Sequence, residues 1–385
     1  MKASVYITRL TLRNWRNFQR FDLALSERTF VIGPNASGKS NLLDVFRFLR
    51  DIAKPGGGLQ RAVNERGGLS KVRCLAARKD PDVSIDVEIS VELGRPKWRY
   101  AIEIAQQPRG YRLPIVKSEK VWLDGQLLTI RPDSADEVDD QRLTQTHLEQ
   151  INSNGGFREV VKFFESIRYL HLIPQLLRHP EAFQATGGGD DAFGRNFLEL
   201  IVKSPEKTRR RRLRKIEAVL KAAVPQLSNL TDSRDELGIP HLEATYTHWR
   251  PNAGLQREDQ FSDGTLRLVG LLWSLLDGDS LLLLEEPELS LHREIVRKLP
   301  GMFSRIQTKH KRQIIVSTHS EDLLSDRGIG GEETVMLEPG REGTIAKLAS
   351  DDKEARGLLE AGASVGEAAL SRTTPADIAQ MPLFE

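Results

Sequence analysis

Cysteine is almost absent: Cys74 stands alone in 385 residues. A single thiol excludes a disulfide framework and fits a reducing compartment. Charge of one sign is missing too. Lys+Arg number 56 against Asp+Glu 54, so no whole-chain field draws the protein to nucleic acid, and any such role has to come from a local patch. Long apolar runs are lacking. The most apolar stretch, 266–284, is broken by Asp277, Gly278 and Asp279, which excludes a membrane span there. The opening MKASVYITRLTLRNW has no apolar run of leader length, and a cytoplasmic protein with no membrane partner is expected. Internal repeats and sustained heptads are also missing, so long coiled-coil arms are not expected. With 39% hydrophobic and 29% charged residues, what remains is a globular chain large enough for one big domain with an insertion, or for two.

What is present begins with periodicity. Residues 4–12 and 21–32 read as strands, and Leu42, Val45, Phe46 and Leu49 recur at helical spacing just beyond them. The first segment is therefore strand, loop, helix. Residues 83–93 and 98–105 alternate as antiparallel strands with one solvated face do, and 121–130 carries the hairpin turn Asp124-Gly125. The acidic run 133–140 reads as a solvated loop, and 158–222 as mostly helical with a break at 186–191. From 260 the α/β pattern returns. A helix is expected at about 264–276, a buried strand at Leu281–Leu284 and a helix from about 290. A strand at Gln313–Ser317 and short strands near 334–337 and 343–347 complete it.

The chemistry sits at the joints of this pattern. Residues 33–40, GPNASGKS, fit G-x-x-x-x-G-K-[ST] in full: Gly33, Pro34, Asn35, Ala36, Ser37, Gly38, Lys39 and Ser40. The run lies between an expected strand and an expected helix, the context a phosphate loop requires. Its glycines let backbone N–H groups converge on phosphates, and the helix start adds partial positive charge. Lys39 is placed to reach the β- and γ-phosphates, and the Ser40 hydroxyl to ligate Mg²⁺. LLLLEEPE then sets carboxylates at the end of a buried strand, where open α/β sheets bind ligands. Glu285 is the candidate for Mg²⁺, and Glu286 for orienting or deprotonating the attacking water. In IIVSTHS, His319 follows another buried strand and is a candidate phosphate sensor. FSDGTLR opens a helix. Alone, Ser262 or Asp263 reads as an N-cap, but its place just upstream of the acidic strand makes Ser262 and Gly264 nucleotide-contact candidates.

The order of these motifs resembles the ABC-type ATPase heads of the RecF/SMC group, and in particular small bacterial ATPases related to OLD-family proteins. The residues that carry it are ITRLTLRNWRNFQRFDLAL, the phosphate loop with Asn41 after it, then SDGT-L-R, EEPE and THS. The resemblance covers 1–50 and 260–325. It implies an α/β fold: an ABC-type P-loop NTPase head, with a mixed sheet flanked by helices, an antiparallel lobe and an inserted mainly helical region. The corresponding domains are 1–130 and 259–348 for the two parts of the head, 131–258 for the insertion and 349–385 for a tail. ATP and Mg²⁺ are the implied cofactors, and a homodimer or higher homo-oligomer closed around two nucleotides is the implied assembly. In it Ser262 and Gly264 would touch the γ-phosphate held by the other protomer, Leu289 to His292 would lie at the seam, and His319 would be the switch histidine.

The sequence departs from the group in places. Within 167–178, Leu172 stands where a glutamine is expected, with Gln175 and Arg178 nearby as substitutes. Coiled-coil arms are missing. The acids after His319 (Glu321, Asp322, Asp351, Asp352) do not make a Toprim metal cluster, so no nuclease is expected in this chain.

Two further features bear on partners. Seven of the nine residues 207–215 are basic, and Arg209, Arg210, Arg211 and Arg212 are candidate DNA contacts. QMPLFE at 380–385 resembles the peptide by which bacterial proteins dock on the sliding clamp, with Gln380, Leu383 and Phe384 as anchors. The expected function is an ATP-hydrolysing head whose cycle controls DNA engagement or a partner effector, a nuclease or toxin encoded nearby, in anti-phage defence. A RecF-type repair ATPase and a slow ATP-gated scaffold are the alternatives.

Overall fold

The computed structural model describes residues 5–77, 80–91, 96–178, 194, 196–250, 254–370 and 372. Its strands, in chain order, are β1 (Tyr6–Trp15), β2 (Phe18–Ala24), β3 (Arg28–Ile32), β4 (Val83–Ser90), β5 (Trp98–Gln106), β6 (Pro114–Leu123), β7 (Gln126–Arg131), β8 (Arg168–Leu170), β9 (Leu227–Arg234), β10 (Pro240–Tyr246), β11 (Leu255–Arg257), β12 (Leu282–Glu285), β13 (Ile314–Ser317), β14 (Thr334–Gly340) and β15 (Gly343–Leu348).

Among the described residues these strands form three sheets. A six-stranded antiparallel sheet has the order β2-β1-β4-β5-β6-β7, a six-stranded mixed sheet runs β15-β14-β3-β13-β12-β8, and a small sheet runs β11-β10-β9. The antiparallel sheet follows from period-2 patterning. Val83, Ile85, Val87 and Ile89 of β4 are buried, while the residues between them are partly exposed. Its β6–β7 hairpin turns at Asp124 and Gly125 with φ of 50° and 81°, the two positive values that an Asp-Gly turn supplies. In the mixed sheet β3 is buried along its whole length and pairs in parallel with both β13 and β14. That burial on both faces is why FVI at 30–32 and IIV at 314–316 are unbroken apolar runs.

The chain forms two compact units. One holds Met1–Arg168, Asp279–Leu283 and Gln307–Glu385; the other holds Tyr169–Gly278 and Leu284–Ile306. β12 thus begins in the first unit and ends in the second, so the acidic motif straddles the division along the chain.

Some expectations are corrected. Residues 21–32 are two strands in different sheets, because Leu25, Ser26 and Glu27 let the chain leave β2 before β3 starts. The acidic run 133–140 is not a solvated loop. Ser134–Val138 is a helix capped by Asp133, with Asp136 buried against Arg131. The stretch 158–222 contains β8 as well as helices, and 227–257 adds the three strands of the small sheet to a region expected to be mainly helical.

Beneath the antiparallel sheet lies a buried polar network. Arg131 donates to Asp136 at 2.7 and 2.9 Å and to the carbonyls of Gln145 and Arg142. Glu119 accepts from the Tyr100 hydroxyl at 2.9 Å and from the His147 amide at 2.8 Å. Burial pushes the Glu119 carboxyl up, whereas the hydrogen bonds from Arg131 hold Asp136 well below the usual range. The His147 ring is buried, and neither nitrogen has a hydrogen-bond partner among the described residues. Burial, and then the Arg131 charge, lower its pKa from 6.5 to about 4; Arg142 acts the same way, and Asp136 and Asp133 oppose it. A base whose folded pKa is depressed binds its proton more readily when unfolded. Stability from this group is therefore complete above pH 6.5 and is lost as pH falls toward 4, by at most about 3 kcal/mol. Chemical denaturation at pH 7 and pH 4.5 should show the loss, and His147→Phe should flatten it. An equal acid loss in that variant would assign the effect to other groups.

Candidate functional site

In the first unit, β3 runs into Gly33 and the helix Lys39–Ala53 starts at Gly38. Gly38 occupies the N-cap with φ 101°, no side chain caps the helix, and its first turn holds no acid. Those uncapped N–H groups and the end of the helix dipole suit a phosphate, and the helix's own first turn offers no acid to compete for them. The loop is fixed from outside. Asn17 Nδ2 and Thr344 Oγ1 both donate to the Ser37 carbonyl, at 2.8 and 2.7 Å, and Asn41 Nδ2 donates to Asn17 Oδ1 at 2.8 Å. A Cβ at Gly38 would lie 2.1 Å from the Asn17 amide, so this close approach needs glycine. Lys39 is buried, its Nζ donating to the carbonyls of Gly33 and Pro34 at 2.9 and 3.2 Å. Ser37 Oγ is buried with no hydrogen-bond partner among the described residues. Asn35, Ala36 and Ser40 are exposed. This arrangement fits a polyphosphate: amide donors, one lysine, and a loop shape that a side chain at Gly38 would destroy.

His319 follows β13. The Thr318 amide donates to the Val31 carbonyl at 3.1 Å, which sets His319 at the same end of the strands as the start of the phosphate loop. Its side chain is exposed, and Ser320 behind it caps the helix Glu321–Leu324.

In the second unit, β12 ends in Glu285. The Tyr169 hydroxyl donates to the Glu285 carboxylate, and His171 Nδ1 lies 3.4 Å from the Glu285 carbonyl. Glu286 adopts φ 44°, which turns the chain sharply, and the Leu289 amide closes the turn on the Glu286 carbonyl at 3.2 Å. Ser262 Oγ does act as the N-cap of the helix Asp263–Leu276, accepting from the Thr265 amide at 3.2 Å. A Cβ on Gly264 would stand 2.6 Å from the Ser290 carbonyl, so the signature glycine lets this helix press on the LSLH turn. Arg267, one turn further on, faces Asp263, Glu286 and Glu288; burial lowers its pKa, and those carboxylates oppose the shift. Gln175 and Arg178 both reach the signature segment: Gln175 Nε2 to Asp263 at 3.2 Å, and Arg178 to Asp263 at 2.7 Å and to the Phe261 carbonyl at 2.5 Å. Leu172 is spent on packing against Gly270, which explains why it is no polar residue.

Asn17, Thr344, Tyr169, His171 and Arg267 had not been singled out from the sequence. Asn17 and Tyr169 lie inside stretches noted there, RNWRNF and IRYLHL, but nothing in either string says what its polar side chain grips. Thr344 is 307 residues from its partner and carries no local signal.

The basic run needs correction. It lies on the helix Glu206–Ala223, where Arg209 is bound to Asp232 and to the carbonyls of Val202 and Ser204. Arg212 pairs with Asp277 and covers the Trp273 ring, and Arg210 pairs with Glu206. Two of the four arginines thus serve the fold, because acids distant in sequence come to meet them. Gln380, Leu383 and Phe384 lie outside the described residues. Among the described residues no helix is long and apolar enough to cross a membrane.

Over 89% of this chain and 98% of the other, the fold matches that of an SMC head crystallised with the C-terminal winged-helix domain of ScpA, with a TM-score of 0.50 at 14% identity. It shows that this chain has the fold of an ABC-type ATPase head, the fold its motifs announce. The chain also resembles two DNA replication and repair proteins RecF. That of Roseiflexus castenholzii is 33% identical over 94 residues, 22% of this chain and 24% of that protein. That of Chloroflexus aggregans is 44% identical over 52 residues, 13% of each. The matches thus span a quarter or less of these relatives' lengths. Residues 28–326 match the family model described as "AAA domain, putative AbiEii toxin, Type IV TA system", and the chain belongs to that family.

Proposed function

We propose that the protein binds ATP with Mg²⁺, dimerises around two nucleotides, hydrolyses them, and uses the cycle to control a partner. The observation that carries this reading is the uncapped start of the helix Lys39–Ala53, with buried Lys39 beside it and Asn17 and Thr344 bracing the loop. Residues 33–41 hold the phosphates, with Lys39 on the β/γ-oxygens. Ser40 and Glu285 are the residues that would hold Mg²⁺, and the metal would supply positive charge against the phosphates. Glu286 orients the attacking water and takes its proton. His319 senses the γ-phosphate, and Ser262 and Gly264 reach it from the second protomer. Little bond-making falls to the protein beyond positioning and charge stabilisation.

The partner is DNA or an effector protein, a nuclease or toxin, and the setting is anti-phage defence in the cytoplasm. The family description, which names a toxin and a toxin–antitoxin system, supports the effector limb, and the similarity to RecF supports the DNA limb. The decisive experiment is steady-state ATP hydrolysis by the purified chain with Mg²⁺, beside Lys39→Ala. Turnover is expected in the wild type and loss of at least about 10²-fold in the variant, the scale of one transition-state charge contact. Equal rates in both would remove the phosphate loop from the reaction.

A further inference from the structure

The basic helix and the turn beside it carry more than its four consecutive arginines indicated. The helix Glu206–Ala223 buries Leu213, Ile216 and Leu220 on one side. Its remaining cations, Lys207, Arg211, Arg214 and Lys215, are exposed, and none has an ion-pair partner among the described residues. At about 100° per residue these four fall within about 100° of arc, opposite the buried line, and span about 12 Å along the axis. The same arc continues over the small Ala218 and Ala222. Glu206 and Glu217 lie on its flank, each engaged by Arg210 or Lys221. The stripe is thus a line of uncompensated positive charge.

An aromatic stack stands at the end toward which the stripe points. β10 pairs with β9 so that Tyr246 lies opposite Leu227, and the Thr247 amide donates to the Gln226 carbonyl at 2.8 Å. Gln226 is three residues past the end of the basic helix, so the chain after β10 turns beside that helix's C-terminal end. There Trp249 is 79% exposed. The His248 ring stacks on it at 5.6 Å with an interplanar angle of 26°, and the Arg250 guanidinium lies 4.5 Å from the indole centroid. A singly exposed tryptophan is ordinary. One held by an imidazole and a guanidinium, past the C-terminal end of a helix that carries a line of such cations, has the composition of a base-stacking platform.

We propose that this surface binds single-stranded nucleic acid, with phosphates on Lys207, Arg211, Arg214 and Lys215 and an unpaired base joining the His248–Trp249–Arg250 stack. A duplex fits the stripe but not the stack, because its bases already cover one another's faces. The inference rests on the DNA limb of the proposed function and is independent of the ATP chemistry.

The test is fluorescence anisotropy with the full chain, no nucleotide, and three labelled probes: an oligo-dT, an oligo-U of equal length and a duplex, each across a salt series. The wild type should bind oligo-dT or oligo-U more tightly than duplex, and the better of the two says whether DNA or RNA is preferred. Replacing all four stripe cations with alanine should lower the log–log salt slope by about 3, at about 0.7 per phosphate contact on a single strand. Trp249→Ala should weaken single-strand binding by about tenfold or more, leaving the salt slope and duplex binding unchanged. Melting temperature and ATP turnover report whether each variant is folded. Failure of the wild type to bind either single strand at low salt overturns the proposal, as does unchanged binding by the folded four-alanine variant. Tighter duplex binding with Trp249→Ala without effect overturns it in favour of a duplex-backbone surface. A wild type that hydrolyses ATP but ignores all probes refutes this surface alone, and one that binds single strands without hydrolysing ATP refutes the ATPase reading alone.

Discussion

Glu286→Gln is expected to slow ATP hydrolysis by about 10²–10⁴-fold while ATP stays bound, trapping a closed dimer. Glutamine keeps the size of the side chain and its capacity to hydrogen-bond a water, but it cannot take a proton. Glu286 follows the last residue of β12 in a left-handed conformation, and the turn after it is closed by Leu289 and pressed by the signature helix at Gly264. The substitution therefore leaves the surrounding backbone as it is, and the change is confined to charge and proton affinity. Arg267, which faces Glu286 and Glu288, loses one of its carboxylate neighbours in the variant. Single-turnover hydrolysis measures the chemical step, and light scattering with and without ATP measures assembly mass. A normal rate would take Glu286 out of the mechanism, and a slow enzyme that stays monomeric with ATP would separate hydrolysis from dimerisation.

Arg131→Met is expected to destabilise the protein by about 3–5 kcal/mol, the cost of stripping one partner from a buried ion network. The side chains of Arg131, Glu119 and Asp136 are all fully buried. One guanidinium thus serves two carboxylates, its nitrogens 2.7 Å from Asp136 and 3.5 Å from Glu119, and Arg142 supports only Asp136, at 3.2 Å. Methionine fills most of the volume, so the loss measures charge and hydrogen bonding rather than a cavity. Without the cation, Glu119 is left with the Tyr100 hydroxyl and the amides of His147 and Leu148, and burial raises its pKa further. Urea denaturation of both proteins at pH 7 gives the difference. A loss under about 1 kcal/mol would mean that the carboxylates find water or that one is neutral in the native protein.

The sequence made the phosphate loop and its flanking elements readable because they are local: a strand, a glycine turn and a helix start within twenty residues. The strands at β4 to β7 were equally plain, since period-2 alternation is written residue by residue. What escaped has a common cause. The helix at Ser134–Val138 looked like a loop because acids suggest solvent, and only Arg131 in the fold gives Asp136 a reason to be buried. The small β9–β11 sheet was hidden by short, polar, weakly alternating strands such as LSNLTDSR. Arg209 and Arg212 looked available for DNA because Asp232 and Asp277, which bind them, are 23 and 65 positions away. Tyr169 on Glu285 is likewise a contact across 116 residues. Pairing over such separations is a property of the folded chain, and the local order of residues does not display it.

The grip of Asn17 and Thr344 on a single carbonyl in the nucleotide loop has a consequence for anyone treating GPNASGKS as a portable cassette. Copied into another scaffold, those eight residues would bring the right atoms without the two struts that set their curvature, and the Gly38 contact would have no amide to rest against. The transferable object is a three-piece assembly drawn from residue 17, residues 33–41 and residue 344.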